Sequence, residues 1–304
     1  MTGSGRGRCA RRGTGDLTND EWSRLKPHLP KTGQRGGCWK SHRRVTHGIL
    51  FRKRTGVPWR DLPARFGKWK TVYERHRRWS ANGTWDKILR AVQADADAAG
   101  RIDWSMASVD STSCPAHQHA AGARKKPPRV PGRRNTPRQH RPDEGLGRSQ
   151  GGLTCKIHLA GEGGRRPLSF AITPGQWGDA PQLIPVMEGI RVARLGGGHP
   201  RTRPDHLGGD KAYSSRRNRR YPRRRHIKHT IPEPKDQRAN RKRRGSKGGR
   251  PAGFDKTIYR RRSEVERTIN RLKTFRAVAT RDDKRAYVFH GTVTVSAIRL
   301  WLRP

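Results

Sequence analysis

The sequence predicts an α/β protein in which a mixed β-sheet domain follows a small all-α domain. Two observations support this fold class. Between residues 16 and 100, apolar residues recur at helical spacing with basic residues opposite them. From residue 104, short β-type runs alternate with helical segments, an order typical of an α/β domain with a mixed sheet.

The predicted helical domain, residues 16–100, contains four helices. The first begins with a capping box, in which Thr18 is followed three residues later by Glu21. The second helix ends at Gly56 and the last at Gly100, both typical stop signals. The third helix carries an apolar stripe formed by Trp69, Val72, Tyr73, His76 and Trp79. Before this domain, the basic residues 1–15 are predicted to form a disordered arm without the apolar core of a signal peptide.

The predicted α/β domain, residues 104–304, is built from short strands separated by helices. The runs predicted to be strands are MASVDSTS, LTCKIHLA, RPLSFAIT, HLGG and HTIPEP. Helices are predicted over residues 179–195, after Asp210, and from about Tyr259 to Phe275. The apolar segment VFHGTVTVSAIRLWL predicts a buried final helix or strand. Basic loops are expected at residues 117–150 and 235–257.

The charge of the chain indicates a polyanionic partner. Lys and Arg number 70 against 24 Asp and Glu, giving a formal net charge of +46. Self-repulsion on this scale favours binding to phosphate backbones. A membrane is the weaker alternative because no apolar run approaches the ~20 residues that span a bilayer. Helices with basic outer faces then fit a helix-turn-helix-like DNA-binding domain, although a solvated basic face is an alternative interpretation.

The four cysteines form no C-x-x-C pair, so a structural zinc site or a disulfide framework is not expected. They are Cys9, Cys38, Cys114 and Cys155.

Acidic residues are scarce, which draws attention to those predicted at strand ends. Within MASVDSTS the strand is expected to end at Asp110, and Asp210 is expected to follow the short strand at residues 206–209. Sites in α/β sheets form beyond strand ends. With a third carboxylate from a helix, these aspartates would make an oxygen-rich cage for Mg²⁺ or Mn²⁺. Two such ions about 3.5–4 Å apart can cleave a phosphodiester. Taken singly, each aspartate is more simply a turn or cap residue.

The helix containing YRRRSEVERTINRLK supplies a candidate for the third carboxylate. At ~100° per residue, four of its residues fall within a band of about 60° on one face. They are Tyr259, Arg262, Glu266 and Lys273. Glu264 lies about 160° from that face and is expected to pair with Arg260, Arg261 or Arg267. From the helix alone, a surface ion pair remains an alternative role for Glu266.

Other polar residues receive simpler predictions. The side chain of Asp179 is expected to cap the following helix. His117 and His119 resemble metal ligands, but because no third ligand stands at a fixed spacing they are expected to be structural or to lie near phosphates. Sequence-independent phosphate contacts are predicted for Lys125, Lys126, Arg241, Arg243 and Arg244.

The spacing Y-x2-R-x3-E-x6-K resembles the signature around the catalytic glutamate of DDE-class bacterial insertion-sequence transposases. Here it reads Tyr259, Arg262, Glu266 and Lys273. The chain is similar to the insertion-sequence five family over about residues 16–303. Matching segments include DLTNDEW, TGVPWRDLPARFGKWKTVYERHRRW, VDSTSCPAHQH, GDKAYSS and VERTINRLKTFRAVATRDDK.

This resemblance implies a ribonuclease-H-like catalytic domain with Asp110, Asp210 and Glu266 as a metal-binding DDE triad. It implies cleavage of DNA at the terminal inverted repeats and transfer of the freed strand to target DNA, with two Mg²⁺ or Mn²⁺ ions. Arg262 and Lys273 would hold phosphates, and Tyr259 would stack or hydrogen-bond nearby. A homodimer or higher oligomer on DNA and a cytoplasmic, nucleoid-associated location in bacteria are also implied.

Two other function classes remain open at this point. One is a non-catalytic nucleic-acid-binding protein derived from a decayed or domesticated transposase. The other is a nuclease with the same metal cage that does not join strands.

Overall fold

The structure of the protein is a computed structural model that describes residues 16–31, 39–121 and 144–303. Several predictions fall outside these ranges: the arm at residues 1–15, Cys9, Cys38, Lys125, Lys126 and most of the basic loop at 117–150. None of the helices in the described part of the chain is both long and apolar enough to cross a membrane.

The helical region begins with four helices, as predicted. They are α1 (Asn19–Leu25), α2 (His42–Thr55), α3 (Trp69–Ala81) and α4 (Thr84–Ala98). The predicted capping box is present, since the Glu21 amide donates to Thr18 Oγ1 at 3.1 Å and Thr18 N donates to Glu21 Oε2 at 2.8 Å. Gly56 ends α2 with φ 73°, a left-handed conformation that favours glycine.

The sheet is mixed, which confirms the predicted α/β class. Its strands are β1 (Ala107–Pro115), β2 (Gly147–Ser149), β3 (Gly152–Glu162), β4 (Pro167–Pro174), β5 (His206–Gly209) and β6 (Lys228–Thr230). The order is β2-β3-β1-β5-β6, and β4 also pairs with β3. Strands β1 to β4 pair antiparallel, whereas β5 and β6 add to the other side of β1 as parallel strands.

The remaining helices connect and cover these strands. They are α5 (Gln118–Ala121), α6 (Leu183–Glu188), α7 (Arg216–Arg224), α8 (Lys235–Arg243), α9 (Lys256–Arg260), α10 (Ser263–Lys273), α11 (Arg276–Ala279) and α12 (Ala286–Leu302).

Three helix predictions need correction. Residues 235–257 were predicted as a loop but contain α8, whose Lys, Arg, Gln and Ala residues favour helix. The helix predicted over residues 179–195 is shorter in the structure. Helix α6 begins at Leu183 and ends at Glu188, directly before Gly189, because glycine disfavours helix. The single helix predicted from Tyr259 is divided into α9 and α10. Backbone hydrogen bonds between residues three positions apart tighten the turn that joins these two helices.

Strand β1 is longer than predicted. It was expected to end at Asp110, but it continues to Pro115 because β3 pairs with it along its whole length. On the other edge, β5 pairs only with residues 107–109. Asp110 is therefore in the middle of its strand, immediately after the point where the parallel pairing stops.

One hydrophobic cluster joins the helical region to the sheet, and a second lies among β1, β3 and helices α10, α11 and α12. A single cluster includes Leu25, Ile49 and Trp79 from the helices, Val109 from the sheet and Trp301 from α12. Helix α12 packs against α3 and α4, and Trp301 Nε1 donates to the carbonyl of Pro167 at 2.8 Å. The predicted division at about residue 100 stays a prediction; this cluster contains residues from both sides of it, and α12, assigned from sequence to the catalytic domain, also packs against the helical layer.

Candidate active site

Two aspartates stand side by side at the centre of the sheet. Val109 and Gly209 are paired residues of the parallel strands β1 and β5. Asp110 is the next residue of β1, Asp210 is the first residue after the end of β5, and neighbouring strands lie about 4.8 Å apart. Main-chain amides orient both carboxylates: Ser111 N donates to Asp110 Oδ1 at 2.8 Å, and Lys211 N donates to Asp210 Oδ1 at 2.5 Å.

Helix α10 brings the third carboxylate to the same place. Its buried side chains, including Val265 and Ile269, hold it against the β1–β3 side of the sheet. Glu266 remains 48% exposed on the face directed toward Asp110. The Arg262 guanidinium donates to Glu266 Oε1 and reaches Asp110 Oδ2 at 3.5 Å, so one cation lies between two of the predicted triad carboxylates.

The electrostatics of Asp110 reflect this grouping. Burial raises the pKa of Asp110 above its usual range, and the charges of Glu266 and Asp210 raise it further. The Ser111 amide and Arg262 oppose that rise. The negative charge gathered here attracts cations.

Tyr259 and Lys273 flank this group along the helix axis. The Arg262 Cζ lies 5.9 Å from the centre of the Tyr259 ring, although Tyr259 belongs to α9 rather than α10. Lys273 Nζ donates to the carbonyl of Ser113 at 3.1 Å. Lys273 lies two turns beyond Glu266, about 10 Å along the helix. The four residues predicted to share one helix face therefore form a row beside the part of β1 that begins at Asp110.

Glu264 has the ion pair predicted for it, but it is not an outward-facing residue. Arg261 Nε donates to Glu264 Oε1 at 3.2 Å, and Arg261 Nη2 donates to Asp103 Oδ2 at 3.0 Å. The Glu264 side chain is only 19% exposed, less than Glu266. Its carboxylate is engaged away from the two aspartates.

The predicted phosphate-contacting arginines differ from one another. Arg241 forms two hydrogen bonds to the carboxylate of Glu233, both at 3.1 Å, so it is already neutralised within the protein. Arg243 and Arg244 are exposed on the surface near the end of α8, and their contact with phosphates stays a prediction.

Asp179 is a fourth carboxylate near the site that sequence reasoning assigned to another role. Its side chain makes no capping bond, so the predicted cap is wrong. Instead, Asp179 Oδ1 accepts from Ser111 Oγ at 2.8 Å and from Lys156 Nζ at 3.0 Å. Burial, followed by the charges of Asp179, Asp110 and Asp210, raises the pKa of Tyr213. One signal in the sequence could have pointed to a buried partner such as Asp179. Polar Lys156 and His158 stand two residues apart, on one face of an otherwise apolar strand.

His158 makes the folded state sensitive to acid. Its side chain is fully buried, Nε2 lies 2.8 Å from Thr173 Oγ1, and burial lowers the pKa of His158 from 6.5 to about 4. Between these pH values the unfolded chain binds a proton that the folded chain does not. Stability therefore falls as the pH drops through this window, by up to about 3 kcal/mol.

We expect His158→Gln to remove this part of the pH dependence. The measurement is the free energy of unfolding in urea at a series of pH values between neutrality and the acid limit of folding. An unchanged slope in the variant would assign the acid sensitivity to other groups.

The donor chemistry of the site suits a divalent cation, although the side chains do not form a ligand shell. Asp110, Asp210 and Glu266 offer only carboxylate oxygens, the ligands preferred by Mg²⁺ and Mn²⁺. Within the described ranges, no group of three or more His, Cys, Asp or Glu side chains is arranged to hold a metal ion. Arg262, which bridges Asp110 and Glu266, takes the position of a cation between them.

Two family models match the chain in succession. Residues 17–89 match the putative transposase of IS4/5 family, and residues 105–296 match the transposase DDE domain.

Two of the relatives are proteins of insertion elements. The chain is 40% identical over 105 residues to the insertion element IS402 uncharacterized 16.2 kDa protein of Burkholderia cepacia, covering 32% of this chain and 71% of that protein. It is 27% identical over 151 residues to the putative transposase for insertion sequence element IS6501 of Brucella ovis, covering 50% of this chain and all of that protein. A pre-cleavage Mos1 transpososome structure aligns with 90% of this chain and 81% of its own, at 11% identity and a TM-score of only 0.25.

The mixed sheet and the DDE domain match define a ribonuclease-H-like enzyme of the polynucleotidyl-transferase type that acts on DNA. Because the DDE model covers more than half of its length, the chain belongs to the DDE-class insertion-sequence transposases.

Proposed function

We propose that this transposase binds the terminal inverted repeats of its insertion sequence, cleaves DNA at the element ends and transfers the freed strands to target DNA. The observation that carries the proposal is the register of β1 and β5. In this register Asp110 and Asp210 follow the paired residues Val109 and Gly209, and Arg262 joins Asp110 to Glu266 on α10; both observations support the proposal.

Asp110, Asp210 and Glu266 are the residues that would hold Mg²⁺ or Mn²⁺, as two ions. When bound, such ions activate an attacking oxygen and stabilise the leaving oxygen of a phosphodiester. Two observations support the proposal. The donor atoms are all carboxylate oxygens, which attract cations, and the Arg262 guanidinium already lies between Asp110 and Glu266.

The basic side chains around the carboxylates position the DNA. Arg262 is well placed to exchange its carboxylate contacts for a phosphate, since its planar fork matches both groups. Lys273 lies further along the same row and would hold a second phosphate of the strand. Tyr259 presents a ring beside Arg262 for stacking or hydrogen bonding.

The helical region is proposed to recognise the inverted repeats, with exposed basic residues on α2 and α3 contacting phosphates. A homodimer or higher oligomer is proposed because two element ends must be held together for joining. Arg243 and Arg244 would add sequence-independent contacts.

The test uses a donor DNA with both element ends, a target DNA and Mg²⁺. We expect Asp110→Asn and Asp210→Asn each to reduce cleavage and strand transfer by about a thousandfold or more, because each removes a charged metal ligand. DNA binding should remain within a few-fold of the unsubstituted chain. Asp205→Asn is the matched control, since Asp205 is an exposed carboxylate beside the start of β5.

The outcomes separate the three function classes. Cleaved ends without strand transfer would identify a nuclease with the same carboxylates. DNA binding without any cleavage, in the unsubstituted chain as in the variants, would identify a non-catalytic binding protein.

A further inference from the structure

The exposed ring of Phe254 lies in the segment that leads into α9. Single exposed apolar side chains are common on protein surfaces, so exposure alone does not indicate a site. Phe254 is 50% exposed, and its contacts connect it to the candidate active site.

The Phe254 ring begins a row of contacts that ends at the carboxylates. Its centre lies 5.1 Å from the centre of the Tyr259 ring, with an angle of 52° between the two planes. Arg262 Cζ lies 5.9 Å from the centre of the same Tyr259 ring, and Arg262 Nη1 lies 3.5 Å from Asp110 Oδ2. Three successive contacts therefore lead from Phe254 to Asp110.

The surroundings of the Tyr259 hydroxyl are consistent with this arrangement. Burial raises the pKa of Tyr259, and the charge of Arg262 opposes that rise. The negative charges of Asp210, Glu266 and Asp110 raise the pKa further. The aromatic pair thus lies close enough to all three proposed metal ligands to be affected by their charge.

The local backbone explains how Phe254 is held. Asp255 caps α9, since its Oδ1 accepts from Thr257 N at 2.8 Å and from Ile258 N at 3.1 Å. Phe254 precedes this cap and packs against Tyr259 in the first turns of the helix, an arrangement known as a hydrophobic staple. A staple uses only part of the ring, so the exposed part of Phe254 remains open to a partner outside the chain.

The charges of this segment indicate that the partner is a nucleic acid. Arg250 and Lys256 flank Phe254 in the chain, Arg260 ends α9, and all three side chains are exposed. An aromatic ring among cations is the combination with which proteins hold a nucleic-acid strand, because the cations bind phosphates and the ring stacks on a base.

The position of the row indicates which base is stacked. In the proposed reaction the carboxylates act on the phosphodiester that is cut, so the nearest nucleotide is the one that carries the freed 3′-OH. Once the strand has been cut, the base of that nucleotide lies at the end of the duplex and has one face free for stacking.

We propose that Phe254 stacks on the terminal base of the cut strand and so holds the freed 3′-OH beside the carboxylates. Tyr259 supports the Phe254 ring, and Arg262 connects the pair to Asp110. This inference rests on the proposed DNA-cutting function and adds to it a residue that binds a base.

The experiment uses the full chain and a labelled duplex that ends at the cut element end. It measures binding of this duplex and the rate at which its end is joined to target DNA with Mg²⁺. A second duplex is identical except that the terminal nucleotide of the cut strand lacks its base. We expect the missing base to weaken binding and slow joining by about tenfold in the unsubstituted chain, the effect of losing one stacked base.

Phe254→Leu should already show this tenfold loss on the intact duplex. Leucine keeps apolar packing on Tyr259 but has no flat ring, so removing the base should cause little further loss. Because half of the Phe254 ring is exposed, the variant should fold, which unfolding in urea checks. Phe254→Tyr keeps the ring and should behave like the unsubstituted chain.

Trp177→Leu is the matched control, since Trp177 is also an exposed aromatic residue, at 38%. Its carbonyl accepts from Lys156 Nζ at 3.0 Å. Lys156 is paired with Ser113, which lies three residues after Asp110 in β1 and so faces the other side of the sheet. This variant removes a ring away from the carboxylates and should keep the tenfold effect of the missing base.

The other outcomes would overturn the inference. If the missing base has the same effect in Phe254→Leu as in the unsubstituted chain, Phe254 does not stack on that base. Weaker self-association of Phe254→Leu, with an unchanged response to the missing base, would assign the ring to a contact between copies of the chain. If the unsubstituted chain neither binds nor joins the intact duplex, the proposed function is itself contradicted, and this inference with it.

Discussion

We expect Glu266→Gln to abolish strand cleavage and joining, whereas Glu264→Gln should retain most of both. The two glutamates are two residues apart in α10, but they face different partners. Glu266 lies with Asp110 on Arg262, and Glu264 is bound by Arg261 on the side toward Asp103. Replacing a proposed metal ligand by a neutral amide removes transition-state stabilisation of several kcal/mol, so we expect a loss of about a thousandfold or more.

The measurement is the rate of cleavage at the element ends with Mg²⁺, together with binding of the same DNA. Both variants remove one negative charge from the same helix, so each serves as the control for the other. Equal activity of the two, or a greater loss in Glu264→Gln, would mean that the catalytic carboxylate has been misassigned.

We expect Arg281→Ala to destabilise the folded chain by about 3–5 kcal/mol. This is the largest effect on stability that we expect from a substitution at a buried position. Arg281 is fully buried, and its guanidinium donates to the main-chain carbonyls of Gly145 and Glu144. It also donates to the carbonyls of Asp283 and Lys284. Alanine would leave these carbonyls without the donor and open a cavity.

The measurement is the urea midpoint and slope of unfolding at neutral pH. Arg281→Lys should lose less, because the charge remains but the planar fork does not. Arg276→Ala, at an exposed position in α11, should change stability by less than about 0.5 kcal/mol. A similar midpoint for Arg281→Ala and Arg276→Ala would contradict the role assigned to Arg281.

Local patterns in the sequence were sufficient to predict much of the fold. The capping box at Thr18 and the glycine that ends α2 depend on residues a few positions apart, and both are present. The direction in which a helical residue points depends only on its position a few residues along the helix. The shared face of Arg262 and Glu266 could therefore be predicted even though α9 and α10 are separate.

Long-range contacts account for most of what the sequence did not reveal. Strand β1 passes beyond Asp110 because β3, some forty residues later, pairs with it to its end. The Ser111–Asp179 bond joins residues 68 positions apart, and the Arg261–Asp103 bond joins residues 158 positions apart. No spacing rule predicts such partners, because tertiary packing selects them.

The place of α12 in the core has a consequence for synthesis on the ribosome. Helices α3 and α4 emerge early, yet the surface against which they pack belongs to residues 286–302. Until residues 286–302 emerge, the apolar surfaces of α3 and α4 that pack against α12 lack that partner. A translation product that stops before residue 286 would thus be vulnerable to aggregation and to proteases.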